Sequence, residues 1–249
     1  MTTYRLDLCY DGTRYNGWQR LGNTDNTIQG KLETLLSRLL DQPVEVQSSG
    51  RTDAGVHARH QVCSFKAETE LSCPEILSGL RRYLPADIGA LNLERASERF
   101  HARYNCTGKT YVYRVWTSDE PNVFERDYLY FFRSELNFAE MRRAADFLCG
   151  EHDFSAFTNE KKKKKTFTRE LRSVEIRQFG GEVRFIYHGN GFLRNMVRIL
   201  TGTLLEIGSG KRSADSVPGI LESKNRELAG FTAPPQGLIL WDVEYQQQK

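Results

Sequence analysis

Apolar and polar side chains alternate from Tyr4 to Tyr10 (YRLDLCY), the period-two pattern of a strand with one buried face. Downstream the period becomes helical. Ile28, Leu32, Leu35, Leu36, Leu39 and Leu40 fall on one stripe, so a helix is expected over residues 27–40. Asn26 is placed to cap it, with Gln29 three residues on, and Pro43 lies past its end. Short strands are expected at 44–48 and 60–66. A helix is expected at 74–83, with Pro at its first position and Pro85 beyond it, and a strand at 90–95. The order is β-α-β-β-α-β, the ferredoxin-like arrangement.

The second half repeats that order with additions. Strands are expected at 110–116 and, shorter, at 128–132. A helix follows at 137–148, with Phe138, Met141, Ala145 and Leu148 on one side. Residues 171–178 and 182–188 read as a hairpin across Phe179-Gly180-Gly181. Helices are expected at 192–207 and 213–222, and a closing strand at 238–245. The expectation is an α+β chain of two ferredoxin-like lobes, residues 1–104 and 105–249, with a cleft between them of the kind that takes ligands.

Length and composition agree with this. The 249 residues suit two lobes, and 39% hydrophobic with 27% charged residues is a globular balance. No apolar run approaches the roughly 20 residues that span a membrane, and the first residues do not form a secretory signal, so a cytoplasmic protein is expected. The five cysteines are odd in number and none are spaced C-x-x-C, which argues against a disulfide framework or structural zinc. The net charge of +3 decides little, but its distribution is uneven. Lys161, Lys162, Lys163, Lys164, Lys165, Arg169 and Arg172 crowd a segment with only Glu160 and Glu170 against them. Such a segment is a solvated loop that also attracts phosphates.

Candidate chemistry centres on GRTDAGVHARHQ, residues 50–61. Gly50 and Gly55 permit unusual backbone angles on either side of Asp53, and Arg51 and His57 flank it. A carboxylate so placed can serve as nucleophile or base; on loop physics alone, a turn-capping Asp beside a surface Arg is the commoner arrangement. DGTRYNGWQR, residues 11–20, mixes glycine, aromatics and amide with Arg14 and Arg20, which suits a loop touching bases and phosphates as well as a packed loop around a buried Trp. Tyr111 and Tyr113 share a strand face near Lys109. Arg194 and Arg198, four apart on the expected helix, share a face and could hold a carboxylate ionised through a bidentate contact.

YDGTRYNGWQR, GRTDAGVHA, FHAR, KTYVY, GFLRNMVR and APPQGL occur in this order along the chain. Together they resemble the tRNA pseudouridine synthase A family over nearly the whole length. The resemblance implies the pseudouridine synthase fold: two ferredoxin-like lobes whose sheets join into one large mixed sheet, with a central RNA-binding cleft. It implies a homodimer, working without metal or organic cofactor, that converts uridine to pseudouridine at positions 38, 39 and 40 in the anticodon arm of tRNA. By motif it implies that Asp53 is the nucleophile, that Tyr111 lies against the target uracil, that Arg198 pairs with the catalytic carboxylate and that Arg51 helps extrude the base. Arg14, Arg20, Lys109 and Arg194 are the expected substrate-binding residues. The five lysines at 161–165 depart from the family's mixed polar loop. Rival readings are a synthase with another tRNA target, a non-catalytic RNA-binding protein, and a glycosidase, which needs a second carboxylate beside the bond.

Overall fold

The computed structural model describes residues 1–160 and 166–246; the lysine run at 161–165 lies outside the described residues. By contact the chain divides into two compact units, Met1–Thr107 together with the chain from Leu240 on, and Gly108–Ile239. It holds ten strands and five α-helices among the described residues, an α+β architecture as expected. None of those helices is long and apolar enough to cross a membrane.

The first unit runs β1 (Thr2–Tyr10), α1 (Ile28–Leu39), β2 (Gln47–Ser48), β3 (His57–Ala67), α2 (Cys73–Tyr83) and β4 (Ile88–Ala96). The strands lie in the order β4-β1-β3-β2, each pair antiparallel, which is the ferredoxin-like sheet. The alternation of YRLDLCY sets the inner face: Tyr4, Leu6 and Leu8 are buried and face Phe65, Cys63 and Gln61 across the ladder. Tyr4 and Phe65 stack with centroids 5.1 Å apart. The apolar stripes of α1 (Ile28, Leu32, Leu36) and α2 (Ile76, Leu80) are buried as well. Each such side chain contributes roughly 1.5–3 kcal/mol of transfer free energy.

The start of α1 differs from expectation. Thr27, in extended conformation, is the cap, and its hydroxyl accepts the Gly30 N–H at 3.2 Å. Asn26 is used elsewhere, donating to the Arg14 carbonyl at 2.5 Å. The register of β1 against β3 shifts between Leu8 and Tyr10, a bulge at the end of β3 where the 49–56 loop joins it.

The second unit contains β5 (Cys106–Trp116) from Gly108 on, β6 (Tyr130–Phe131), α3 (Phe138–Leu148), β7 (Gly150–Asp153), β8 (Thr168–Phe179), β9 (Glu182–Gly189), α4 (Met196–Gly208) and α5 (Ser216–Ser223). β10 (Leu238–Tyr245) starts here and joins the first unit from Leu240. β5-β9-β8-β7 is antiparallel and β6 runs parallel to β5, so this sheet is mixed. The β8–β9 turn is two residues rather than three, Gly180-Gly181, with Gly180 at φ +59°. β7, with sequence GEHD, has no apolar alternation to announce it.

Arg114 and Arg184 face each other across β5 and β9, a like-charge pair that a sheet normally avoids. Glu182 resolves it. Its carboxylate accepts two bonds from Arg114 (2.7 and 2.8 Å) and two from Arg184 (2.6 and 3.4 Å), and Arg114 also reaches Glu125. Burial alone would raise the Glu182 pKa, but the hydrogen bonds and charges of the two arginines outweigh it and hold the group at about 2. A carboxylate depressed in the folded state stabilises the fold fully above its ordinary value of 4.5 and loses that contribution as pH falls toward 2. Glu182→Gln should therefore cost roughly 2 kcal/mol at pH 7, and a smaller amount at pH 3. Urea unfolding at the two pH values checks this, and an equal cost at both would show that Glu182 is not held ionised.

Candidate active site

Asp53 sits in the loop between β2 and β3. Its carbonyl accepts the Val56 N–H at 3.2 Å, closing a turn whose third residue, Gly55, has φ +76°. A turn with positive φ at that position calls for glycine. Asp53 is half-buried, between exposed Arg51 and Ala54 and beside buried Thr52.

The 11–20 loop holds this turn from one side. Trp18 N–H donates to the Thr52 carbonyl at 3.0 Å, and Gly12 N–H donates to Nδ1 of buried His57 at 3.1 Å. Nδ1 is also 3.1 Å from Asp11 Oδ1. Asp11 Oδ1 also accepts the backbone N–H and the hydroxyl of Thr13. A Cβ on Gly12 would stand 2.0 Å from the Val56 carbonyl oxygen. One on Gly17, at φ +91°, would meet the Thr52 carbonyl oxygen, Ala54 N and Asp53 carbonyl carbon at 2.9–3.1 Å. The two loops are in backbone-to-backbone contact.

That contact decides the double reading of the 11–20 loop in favour of packing for its aromatics. Trp18 is 2% exposed and tilts against Tyr10, and Tyr15 is buried with its hydroxyl on Asp87 at 2.5 Å. Neither ring is open to a base. Arg14 and Arg20 are exposed, along with Thr13, Asn16 and Gln19, and both arginines have carboxylate partners: Arg14 with Asp87 at 2.6 Å, Arg20 with Glu33 at 2.9 Å.

The second unit places Tyr111 in the middle of β5, 7% exposed and edge-on to Phe192 at 5.0 Å. Tyr113 is fully buried, its hydroxyl on the Pro234 carbonyl at 2.7 Å, and burial pushes its phenol well up. Lys109, on the same strand, is half-buried opposite Gly189. α4 begins four residues later than expected. Asn195 takes a left-handed φ of +60°, which asparagine tolerates, and the chain before it is not helical. Arg194 is therefore an exposed turn residue and shares no helical face with Arg198.

Arg198 lies in the first turn of α4, half-buried. Its Nε donates to the Ala233 carbonyl at 2.6 Å and Nη1 to Asn195 Oδ1 at 3.1 Å, while Ala233 N–H donates back to the Arg198 carbonyl at 3.1 Å. The segment leading to APPQGL is pressed onto the helix: a Cβ on Gly202 would stand 1.9 Å from the Phe231 carbonyl oxygen. These contacts fix the plane of the guanidinium.

A family model described as tRNA pseudouridine synthase matches residues 9–105 and 144–246. The chain belongs to the tRNA pseudouridine synthase family. A tRNA pseudouridine synthase A 2 of Bacillus cereus (strain ZK / E33L) is 45% identical over 245 residues, covering 98% of this chain and all of that one. With the same coverage, a tRNA pseudouridine synthase A of Bacillus sp. (strain KSM-64) is 45% identical and a tRNA pseudouridine synthase A 2 of Clostridium perfringens (strain 13 / Type A) 38%. The protein is a pseudouridine synthase, an isomerase of uridine in tRNA.

Within the synthase, Asp53, Arg51, Arg14 and Arg20 belong to the first unit, and Tyr111, Lys109, Arg194 and Arg198 to the second. The family model's match spans all of them except Lys109 and Tyr111, which fall between its two segments. Asn195 and Ala233, which orient Arg198, and Tyr10, Ser49 and Gln61, which bond the residues around Arg51, went unread in the sequence. Their one signal was a polar residue, Gln61, on the inward stripe of a strand.

Gly17→Ala must force the 52–54 backbone aside and also strains its own φ, at a cost of about 1 kcal/mol or more. A displacement of about 1 Å at a reacting group costs on the order of 100-fold in rate. Turnover of tRNA by Gly17→Ala should fall that far, while Gly22→Ala, with nothing within 4 Å of its Cβ, should match wild type. Equal activity of the two variants would refute the close-contact account.

Proposed function

We propose that this synthase isomerises uridines 38, 39 and 40 in the anticodon stem-loop of tRNA, with Asp53 as nucleophile acting on a flipped-out base. The observation that carries the reading is the setting of Asp53: the carboxylate of GRTDAGVH stands on a turn braced by Gly12 and Gly17, half-buried, as a nucleophile that must meet one atom requires. In this reading Tyr111 is the ring against uracil and Arg198 the guanidinium that keeps the carboxylate ionised. Arg51 assists extrusion of the base, and Lys109 and Arg194 contact substrate. The enzyme works as a cytoplasmic homodimer, with neither metal nor organic cofactor.

The chemistry explains the residue set. The N1–C1′ bond breaks, C5 bonds to C1′, the C5 proton leaves and N1 gains one, so no atom is imported. Asp53 either attacks covalently or removes a sugar proton to give a glycal. Both routes need an ionised carboxylate in a water-poor pocket, where burial raises its pKa and a nearby guanidinium lowers it. Turning the base out of the stack costs a few kcal/mol, which phosphate contacts supply.

Tritium release from tRNA labelled at uridine C5 tests this, with mapping of the product pseudouridines. Wild type should release tritium and modify positions 38–40. Asp53→Ala should release none while binding tRNA normally. Arg198→Lys should be severely slowed, because an ammonium lacks the planar fork. Release by Asp53→Ala at the wild-type rate would end its assignment as nucleophile, and pseudouridine mapped outside the anticodon arm would end that of the target.

Arg14, Arg20 and the lysines at 161–165 are the proposed phosphate contacts. Their replacement by neutral residues should weaken tRNA affinity and flatten its salt dependence while sparing the single-turnover rate at saturating tRNA. A slowed chemical step with unchanged affinity would contradict that role.

A further inference from the structure

Tyr4, Leu6, Leu8, Cys63 and Phe65 make one face of the first unit's sheet apolar, and Gln61 interrupts it beside the Asp53 loop. Gln61 is 0% exposed at an inward position of β3, opposite Leu8. An apolar residue there would avoid burying an amide. Both halves of the amide are instead used on the loop. Nε2 donates to the Gly50 carbonyl at 2.8 Å, and Oε1 accepts the hydroxyl of buried Ser49 at 2.5 Å. Since the Gly50 carbonyl can only accept, the orientation of the amide is determined. The same Nε2 lies 3.4 Å from the Tyr10 hydroxyl, which is 2.8 Å from Thr52 Oγ1. Tyr10 and Thr52 share this bond, and either hydroxyl can donate it. The bonds link Ser49, Gln61, Tyr10 and Thr52 in series.

This chain of bonds grips residues 49, 50 and 52, and Thr52 is held a second time by Trp18 N–H on its carbonyl. Arg51 and Asp53 alternate with these residues along the same stretch of backbone. We infer that Gln61 and Tyr10 are positioning residues for the reaction, setting the Asp53 carboxylate through Gly50 and Thr52 without touching substrate themselves. The inference rests on the assignment of Asp53 as nucleophile. It adds that catalytic geometry is fixed from inside the core by a chain of polar bonds, in addition to the glycine contacts on the loop's outer side.

The test uses full-length enzyme and compares three variants with Asp53→Ala. Tyr10→Phe removes one oxygen and keeps the ring. Gln61→Glu keeps the shape but, when ionised, sets an oxygen against the Gly50 carbonyl and fails to reproduce the donor, so the rate is followed up to a pH at which the carboxyl group is ionised. Ser72→Ala removes the capping box of α2 and serves as a purely structural control. Melting temperature, tRNA affinity and single-turnover tritium release at saturating tRNA are measured well below the melting transition.

Tyr10→Phe and Gln61→Glu should release tritium about 10- to 100-fold more slowly per folded molecule, with tRNA affinity within about two-fold of wild type. Ser72→Ala should melt earlier and keep the wild-type rate. A full rate in folded Tyr10→Phe and Gln61→Glu, with only the melting temperature lowered, would overturn the positioning role, as would a loss confined to tRNA affinity. Asp53→Ala separates the two claims. Activity retained there removes the nucleophile reading, whereas activity lost there but kept in Tyr10→Phe and Gln61→Glu removes only the inference made from them.

Discussion

The backbone around Asp53 passes so close to Gly12 and Gly17 that no side chain fits between the two loops. Close-packed interiors transmit displacement instead of absorbing it. The contact therefore does two things. It excludes every residue but glycine at two positions of the 11–20 loop, and it makes the position of the Asp53 turn depend on how that loop is anchored. The anchors are Trp18 and Tyr15, buried rings that tie the loop to the first unit. A loop with the composition of a nucleic-acid contact is in its aromatic half a structural brace.

At three points of this protein polar side chains are bonded internally where geometry has to be held. Glu182 stands between two arginines that would otherwise repel. Gln61 uses both ends of its amide, and Arg198 is held by a carbonyl and an amide oxygen. Buried donors and acceptors are costly when unmet and directional when met. That combination gives a fixed angle to a carboxylate or a guanidinium that loop residues alone would leave to vary.

Much of the fold could be read from the chain, because it rests on periodicity. The alternation at β1 and the leucine stripe of α1 each have one structural solution. What escaped reading depended on choices between chemically equivalent neighbours. Asn26 and Thr27 can both cap a helix, and only the demand of the Arg14 carbonyl on Asn26 separates them. Arg194 and Arg198 have helical spacing, but Asn195 adopts a left-handed conformation that breaks the helix between them. Gln61 was visible as a polar residue on an inward stripe, yet its partners Ser49 and Gly50 lie across a turn whose path a pattern does not reveal. The site motifs could be located by their residue types, while the orientation of their side chains depended on contacts far apart in sequence.

The pairing of Arg14 with Asp87 and of Arg20 with Glu33 has a thermodynamic consequence for any polyanion that approaches. An arginine that exchanges a carboxylate for a phosphate leaves an anion behind, and that anion gathers cations from solution. The ions freed from the nucleic acid are partly recaptured by the protein. Association then draws less entropy from the salt gradient than a count of basic residues implies, and the affinity holds over a wider range of ionic strength. The internal acids act as a buffer on the electrostatic attraction, keeping it weaker in dilute salt and more persistent in concentrated salt.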